Sequence, residues 1–118
     1  MLLIDDEPLL LKSLARMLQS HHDVSAAIGG AKGLELLAAD SGYDVIVCDL
    51  MMPEVDGMHV YRTLESEYPQ LLSKLVFLSG GVFTERMSQF LSDLDAPLLD
   101  KPVTCDDLLE AIDLIPPS

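Results

Sequence analysis

Asp49 ends an apolar run, Val45-Ile46-Val47-Cys48, and a turn-rich stretch from Met51 through Pro53, Glu54 and Asp56 to Gly57 follows it. A carboxylate at the edge of a core is costly unless something is paired to it. Three other apolar runs end the same way: Leu2–Ile4 in Asp5, Asp6 and Glu7, Leu75–Leu78 in Ser79, and Leu98-Leu99 in Asp100, Lys101 and Pro102. If these ends share one rim, acids, a hydroxyl and a lysine converge there. Two carboxylates ~4 Å apart at an effective dielectric of ~20 repel by roughly 4 kcal/mol. Clustered acids therefore need protonation or neutralisation. Lys101 offers one positive charge. A hard divalent cation offers two, and Mg²⁺ favours one or two carboxylates with waters and phosphate oxygens. The chemistry that fits is phosphoryl transfer to a carboxylate, which can act as a nucleophile and become an aspartyl phosphate. In that reading Asp49 attacks and Asp6, with Asp5 close by, holds the metal. Lys101 neutralises a phosphoryl oxygen as a compact point charge. The Ser79 hydroxyl donates to another oxygen.

The elements that must position these residues alternate along the chain. Strands are expected at Leu2–Ile4, Asp23–Ala27, Tyr43–Cys48, Lys74–Leu78 and Leu98–Leu99. Helices are expected at Pro8 to Ser20, Ala31–Ala39, Met58–Tyr68, Thr84 to Asp93 and Thr104–Leu114. Pro8 suits a first helical position, and Leu10, Leu11, Leu14, Met17 and Leu18 recur at helical spacing. In the second helix Leu34, Leu37 and Ala38 are expected inward. Pro69 stops the third helix, and Thr104 with Asp107 has the form of a capping box. Five rounds of strand then helix predict an α/β domain with a parallel sheet covered on both faces. In such sheets ligands sit beyond the carboxyl ends of the strands, where Asp5, Asp6, Asp49, Ser79 and Lys101 fall.

Composition narrows the function. The chain has 118 residues, which fits one domain over 1–118, and 49% of them are hydrophobic, enough for a core. The 20 acidic residues outnumber 7 basic ones, for a net charge of −13, which argues against direct nucleic-acid binding. No apolar run approaches the ~18–20 residues of a membrane span, and no signal peptide is expected from the start MLLIDDEP, which turns acidic at once. Cys48 and Cys105 lie in apolar segments and read as reduced thiols of a cytoplasmic protein; Cys48 should point away from Asp49, because side chains alternate along a strand. His21 and His22 read as residues at the C-terminal end of a helix dipole, and Met51 and Met52 as loop packing. Pro53 and Gly57 shape the loop. Gly80 and Gly81 permit positive φ after Ser79. The abrupt first strand suggests a fragment of a longer protein, with Pro116, Pro117 and Ser118 ending the last helix and beginning a linker.

The sequence resembles the receiver domains of bacterial two-component response regulators. The matching pieces are Leu2–Pro8 (LLIDDEP), Asp44–Gly57 (DVIVCDLMMPEVDG), Phe77–Gly80 (FLSG) and Asp100–Pro102 (DKP), in order over nearly the whole chain. The resemblance implies a single doubly wound, flavodoxin-like (βα)5 sandwich with a five-stranded parallel sheet in the order 2-1-3-4-5. It implies that Asp49 is phosphorylated from a histidine kinase or histidine phosphotransfer protein and that Mg²⁺ is required. It implies metal binding by Asp6 and Asp49, by the Met51 carbonyl and by Asp5 through water. Ser79 and Lys101 match the family's hydroxyl and lysine, and the Lys101–Pro102 bond is expected to be cis. Phosphorylation is expected to draw Ser79 inward and to bias the face of the fourth helix and fifth strand. That face, with the fifth helix, would also carry any homodimer. The stretch 79–103 is similar to receivers of hybrid histidine kinases.

Two positions depart from the family. Leu98 stands where an aromatic residue often precedes the lysine by three, so rotation of a Tyr or Phe is not the signal there. Met51 replaces an often polar residue and either hinders the hydrolytic water or alters partner contact. Met51 also stands where haloacid dehalogenase-like phosphatases carry a second Asp, which argues against a phosphatase. The alternative retained is a receiver-like docking module that is never phosphorylated.

Overall fold

The computed structural model describes residues 1–81, 84–94 and 96–115. The expected linker at Pro116–Ser118 lies outside them. Strands β1 (Leu2–Asp5), β2 (Ser25–Ile28), β3 (Ile46–Asp49), β4 (Leu75–Ser79) and β5 (Leu98–Asp100) alternate with helices α1 (Pro8–Leu18), α2 (Gly30–Ala39), α3 (Gly57–Glu67), α4 (Glu85–Ser92) and α5 (Cys105–Asp113). The strands form one parallel sheet in the order β2-β1-β3-β4-β5. This is the expected doubly wound fold.

Local chemistry explains the element ends. Pro8 takes the first position of α1. Asp56 caps α3 by accepting from the His59 N–H at 2.9 Å, and Thr84 caps α4. Thr104 and Asp107 complete the capping box of α5. Such caps satisfy N–H groups that the helix leaves unpaired, each at about 1 kcal/mol. Helix α1 stops at Leu18, short of Ser20, because the N–H groups of His21 and His22 both donate to the Leu18 carbonyl. The two histidines thus lie at the helix's C-terminal end, as expected.

One local expectation fails. Ala38 is exposed, and the inward face of α2 is instead made by Gly30, Gly33 and Leu37, with Leu34 half-buried. A 3₁₀ helix over Pro69–Lys74 fills the stretch between α3 and β4. Gly80 and Gly81 do not use the positive φ open to them; among the described residues Gly29 and Glu54 do, at 88° and 66°.

Each strand alternates its side chains between two apolar layers. Ile4, Ile46, Cys48 and Phe77 join α2, α3 and α4 on one face. Leu3, Val47, Val76 and Leu78 join α1 and α5 on the other. The first layer contains an aromatic group. Tyr61 of α3 meets Phe90 of α4 edge-on at 5.2 Å, and Phe90 meets Phe77 of β4 at 6.1 Å.

Candidate functional site

Register brings the strand ends together. Ile4 on β1 pairs with Cys48 on β3, so Asp5 and Asp49 are the next residues on adjacent strands. Ser79 pairs with Asp100 one strand further on, and the Lys101 N–H donates to the Ser79 carbonyl at 2.7 Å. That bond holds the start of the β5–α5 connection against β4, and the Lys101–Pro102 peptide that follows is cis, as expected. The lysine side chain lies back over the rim. Its Nζ stands 3.0 Å from Asp5 Oδ2, 3.2 Å from Asp49 Oδ2 and 3.3 Å from Glu7 Oε1.

The carboxylates are not equivalent. Asp5 and Asp49 are each only 2% exposed. The Glu7 N–H donates to Asp5 Oδ1 at 2.9 Å, while Asp5 Oδ2 faces the ammonium at 3.0 Å. Asp49 has its Oδ2 on Lys101, but its buried Oδ1 has no hydrogen-bond partner among the described residues. The Ser79 hydroxyl, also buried, has none either. Burial first, then the charge of Asp5, push the Asp49 carboxyl up from 3.8 to about 6, although Lys101 pulls the other way. For Lys101, burial alone would lower the value, but hydrogen bonding and charge from Asp5 and Asp49 outweigh it and raise the ammonium above its ordinary 10.5.

Ligand oxygens of Asp5, Asp6 and Asp49 all lie within 4.8 Å of one another. Two ligands on a small hard cation at about 2.1 Å can be at most about 4.2 Å apart, so a slight contraction would seat one. Three carboxylates less one ammonium leave a formal −2, the charge a divalent ion cancels. The unpartnered Asp49 Oδ1 is the kind of oxygen such an ion takes. The donor set therefore fits a metal of the hard, oxygen-binding class.

Asp5, Asp6, Asp49 and Lys101 meet as the sequence suggested. Ser79 comes to the same rim with its hydroxyl uncommitted. Met51 stands in the loop after β3 with its side chain 43% exposed, lining a groove of about 570 Å³ with Met52, Pro53, Met58 and Met87. Cys48 lies in the opposite apolar layer from Val47, its thiol pushed well up by burial and then by Asp49 and Asp5. Leu98 is partly exposed on β5. A larger groove of about 720 Å³ runs between α3 and α4 past Arg62, Arg86 and Phe90, but none of the unpartnered buried atoms lines it. The sequence did not reveal the Glu7 contact with Lys101. These residues are 94 positions apart, and only the sheet order makes them neighbours.

Comparison with known proteins gives a consistent result. Residues 1–113 match the model of the response regulator receiver domain. The chain is 32% identical over 114 residues to the transcriptional regulatory protein GlrR of Escherichia coli, covering 96% of this chain and 25% of that protein. It is 32% identical over 104 residues to the sensor protein TorS of the same species, covering 87% of this chain and 11% of TorS. With the sensor kinase CckA of Brucella abortus it shares 30% identity over 113 residues, covering 94% and 12%. The chain thus spans a quarter or less of these relatives. Among solved structures, a response regulator receiver protein from Sinorhizobium medicae superposes with a TM-score of 0.78 at 30% identity, covering 97% of this chain and 90% of that one. A receiver domain protein from Clostridium thermocellum reaches 0.82 at 27%, covering 95% and 89%.

Proposed function

We propose, from the premise that this chain belongs to the response regulator receiver family, that Asp49 accepts a phosphoryl group from a phosphohistidine donor in a Mg²⁺-dependent reaction. The observation that carries this reading is the divided environment of Asp49. One oxygen is held by the Lys101 ammonium at 3.2 Å, and the other is buried without a partner. With a pKa of about 6, the carboxylate is mostly ionised at pH 7 and available as a nucleophile. Its oxygen attacks phosphorus in line. The donor's phosphorus–nitrogen bond breaks, and the imidazole keeps the electron pair. Asp6 and Asp49, the Met51 carbonyl and Asp5 through water are the groups that would hold the ion. When bound, Mg²⁺ supplies positive charge to the phosphoryl oxygens. Lys101 neutralises a further oxygen, and the free Ser79 hydroxyl donates to another.

The donor is a histidine kinase or a histidine phosphotransfer protein. The domain is a signalling switch within a longer protein, and its similarity to TorS and CckA makes a hybrid kinase a candidate parent. No helix among the described residues is long and apolar enough to cross a membrane. Incubation with acetyl phosphate or phosphoramidate and Mg²⁺ should add about 80 Da, one phosphoryl group, by intact mass. The adduct should be absent without Mg²⁺ and in Asp49→Ala. No adduct on the wild type, or one that survives Asp49→Ala, would sink the assignment.

A further inference from the structure

We propose that Glu7 is a positioning residue for Lys101: it holds the ammonium at the rim in the resting state and is the partner that an arriving phosphoryl oxygen displaces. This rests on the proposed role of Asp49. A lysine ammonium has three hydrogens and no acceptor. Here three carboxylate oxygens surround it, on Asp5, Asp49 and Glu7, at 3.0, 3.2 and 3.3 Å. A fourth oxygen arriving at the same ammonium competes with these three, and of them the Glu7 contact is the one aligned as a hydrogen bond.

Burial decides which one yields. Asp5 is 2% exposed and fixed through its other oxygen by the Glu7 N–H. Releasing it would strand a buried carboxylate, a heavy penalty. Asp49 carries the incoming group and stays where it is. The Glu7 side chain is 62% exposed, so its freed carboxylate simply rehydrates. Its backbone is meanwhile tied down, because the residue directly precedes Pro8, the first position of α1, and its N–H is bonded to Asp5. The exchange therefore moves one side chain and no backbone. It places a free negative charge at the start of α1, two positions before Leu9, which is 84% exposed. Occupancy of Asp49 is thus written onto the surface at that helix end.

The test uses beryllofluoride, which mimics an aspartyl-bound phosphoryl group, with Mg²⁺ and isothermal titration of the wild type, Glu7→Gln and Glu7→Asp. Glu7→Gln leaves the ammonium a neutral partner to give up, so beryllofluoride should bind about two- to fivefold more tightly, the range of an exposed ion pair. Glu7→Asp keeps the charge but is one methylene short of the 3.3 Å contact, and it should follow Glu7→Gln. If Glu7→Gln binds no more tightly than the wild type, Glu7 does not compete for the lysine. If Glu7→Gln tightens binding while Glu7→Asp behaves as wild type, the effect is one of general charge and the positioning role falls. If the wild type takes no beryllofluoride, the phosphoacceptor reading fails and this inference with it.

Discussion

The two connections that flank Asp49 are built in opposite ways. After β3, the Leu50 N–H donates to the Leu78 carbonyl and the Gly57 N–H returns to the Leu50 carbonyl, both at 2.9 Å. Leu50 and Met52 are buried, and Asp56 caps the next helix. This connection is a clamp. After β4, Gly80 and Gly81 are exposed, open space surrounds the Cβ position of Gly81, and the Ser79 hydroxyl is uncommitted. The acceptor carboxylate therefore sits on a fixed support, and the hydroxyl across the rim has room to be re-aimed. A site that must bind an ion at rest and a phosphoryl group later needs both kinds of support.

The contrast can be broken most severely at Gly57. An added Cβ would lie 2.8 Å from Leu50 Cα and 3.0 Å from the Asp49 carbonyl, and backbone cannot swing aside as a side chain can. Gly57→Ala should destabilise by about 3 kcal/mol, read by urea unfolding. Ionisation of Asp49 comes next. Its folded pKa of about 6 lies above the ordinary 3.8, so it contributes stability that is complete below pH 3.8 and is lost as pH rises through 6. In cation-free buffer, stability should fall on the order of 2 kcal/mol between pH 4 and 7 from this group. Asp49→Asn should flatten that slope, and millimolar Mg²⁺ should restore the melting temperature of the wild type at pH 7.

At the uncommitted hydroxyl, Ser79→Ala should raise stability by up to about 1 kcal/mol, because it removes a buried group with no partner among the described residues. The same variant should slow adduct formation with acetyl phosphate, so stability and phosphorylation move in opposite directions. A Ser79→Ala protein that is less stable would mean the hydroxyl is already engaged. Smallest of all, Gly81→Ala meets nothing within 4 Å among the described residues and should stay within about 0.5 kcal/mol of wild type. A large loss there would erase the distinction between the two connections.

Much of this was legible in the sequence, for reasons that differ by element. The buried strands β1, β3 and β4 read plainly because they are short continuous apolar runs, and each of these ended in its functional residue. The helix starts were marked by Pro8, Thr84 and Thr104. Periodicity failed for α2, where close packing is made by Gly30 and Gly33, residues that carry no hydrophobic signal. Nothing in the periodicity marks the 3₁₀ helix at Pro69–Lys74, where a proline that ends one helix opens a tighter one. At the site, Asp5, Asp6, Asp49, Ser79 and Lys101 could be named because each closes a strand. The division of labour among the acids could not. That Asp5 is engaged through both oxygens, Asp49 through one, and Glu7 exposed yet paired depends on which oxygens the fold aims at one ammonium.

The ring contacts beneath β4 have a practical consequence. Phe77 lies two residues before Ser79 and points to the same side of the strand, its edge against Phe90, which in turn meets Tyr61. Close-packed rings transmit displacement because they have no slack to absorb it. Any travel of this strand on signalling would be felt by a phenol, and the chain contains no tryptophan to mask tyrosine emission. The protein thus carries a built-in optical gauge, readable without a label.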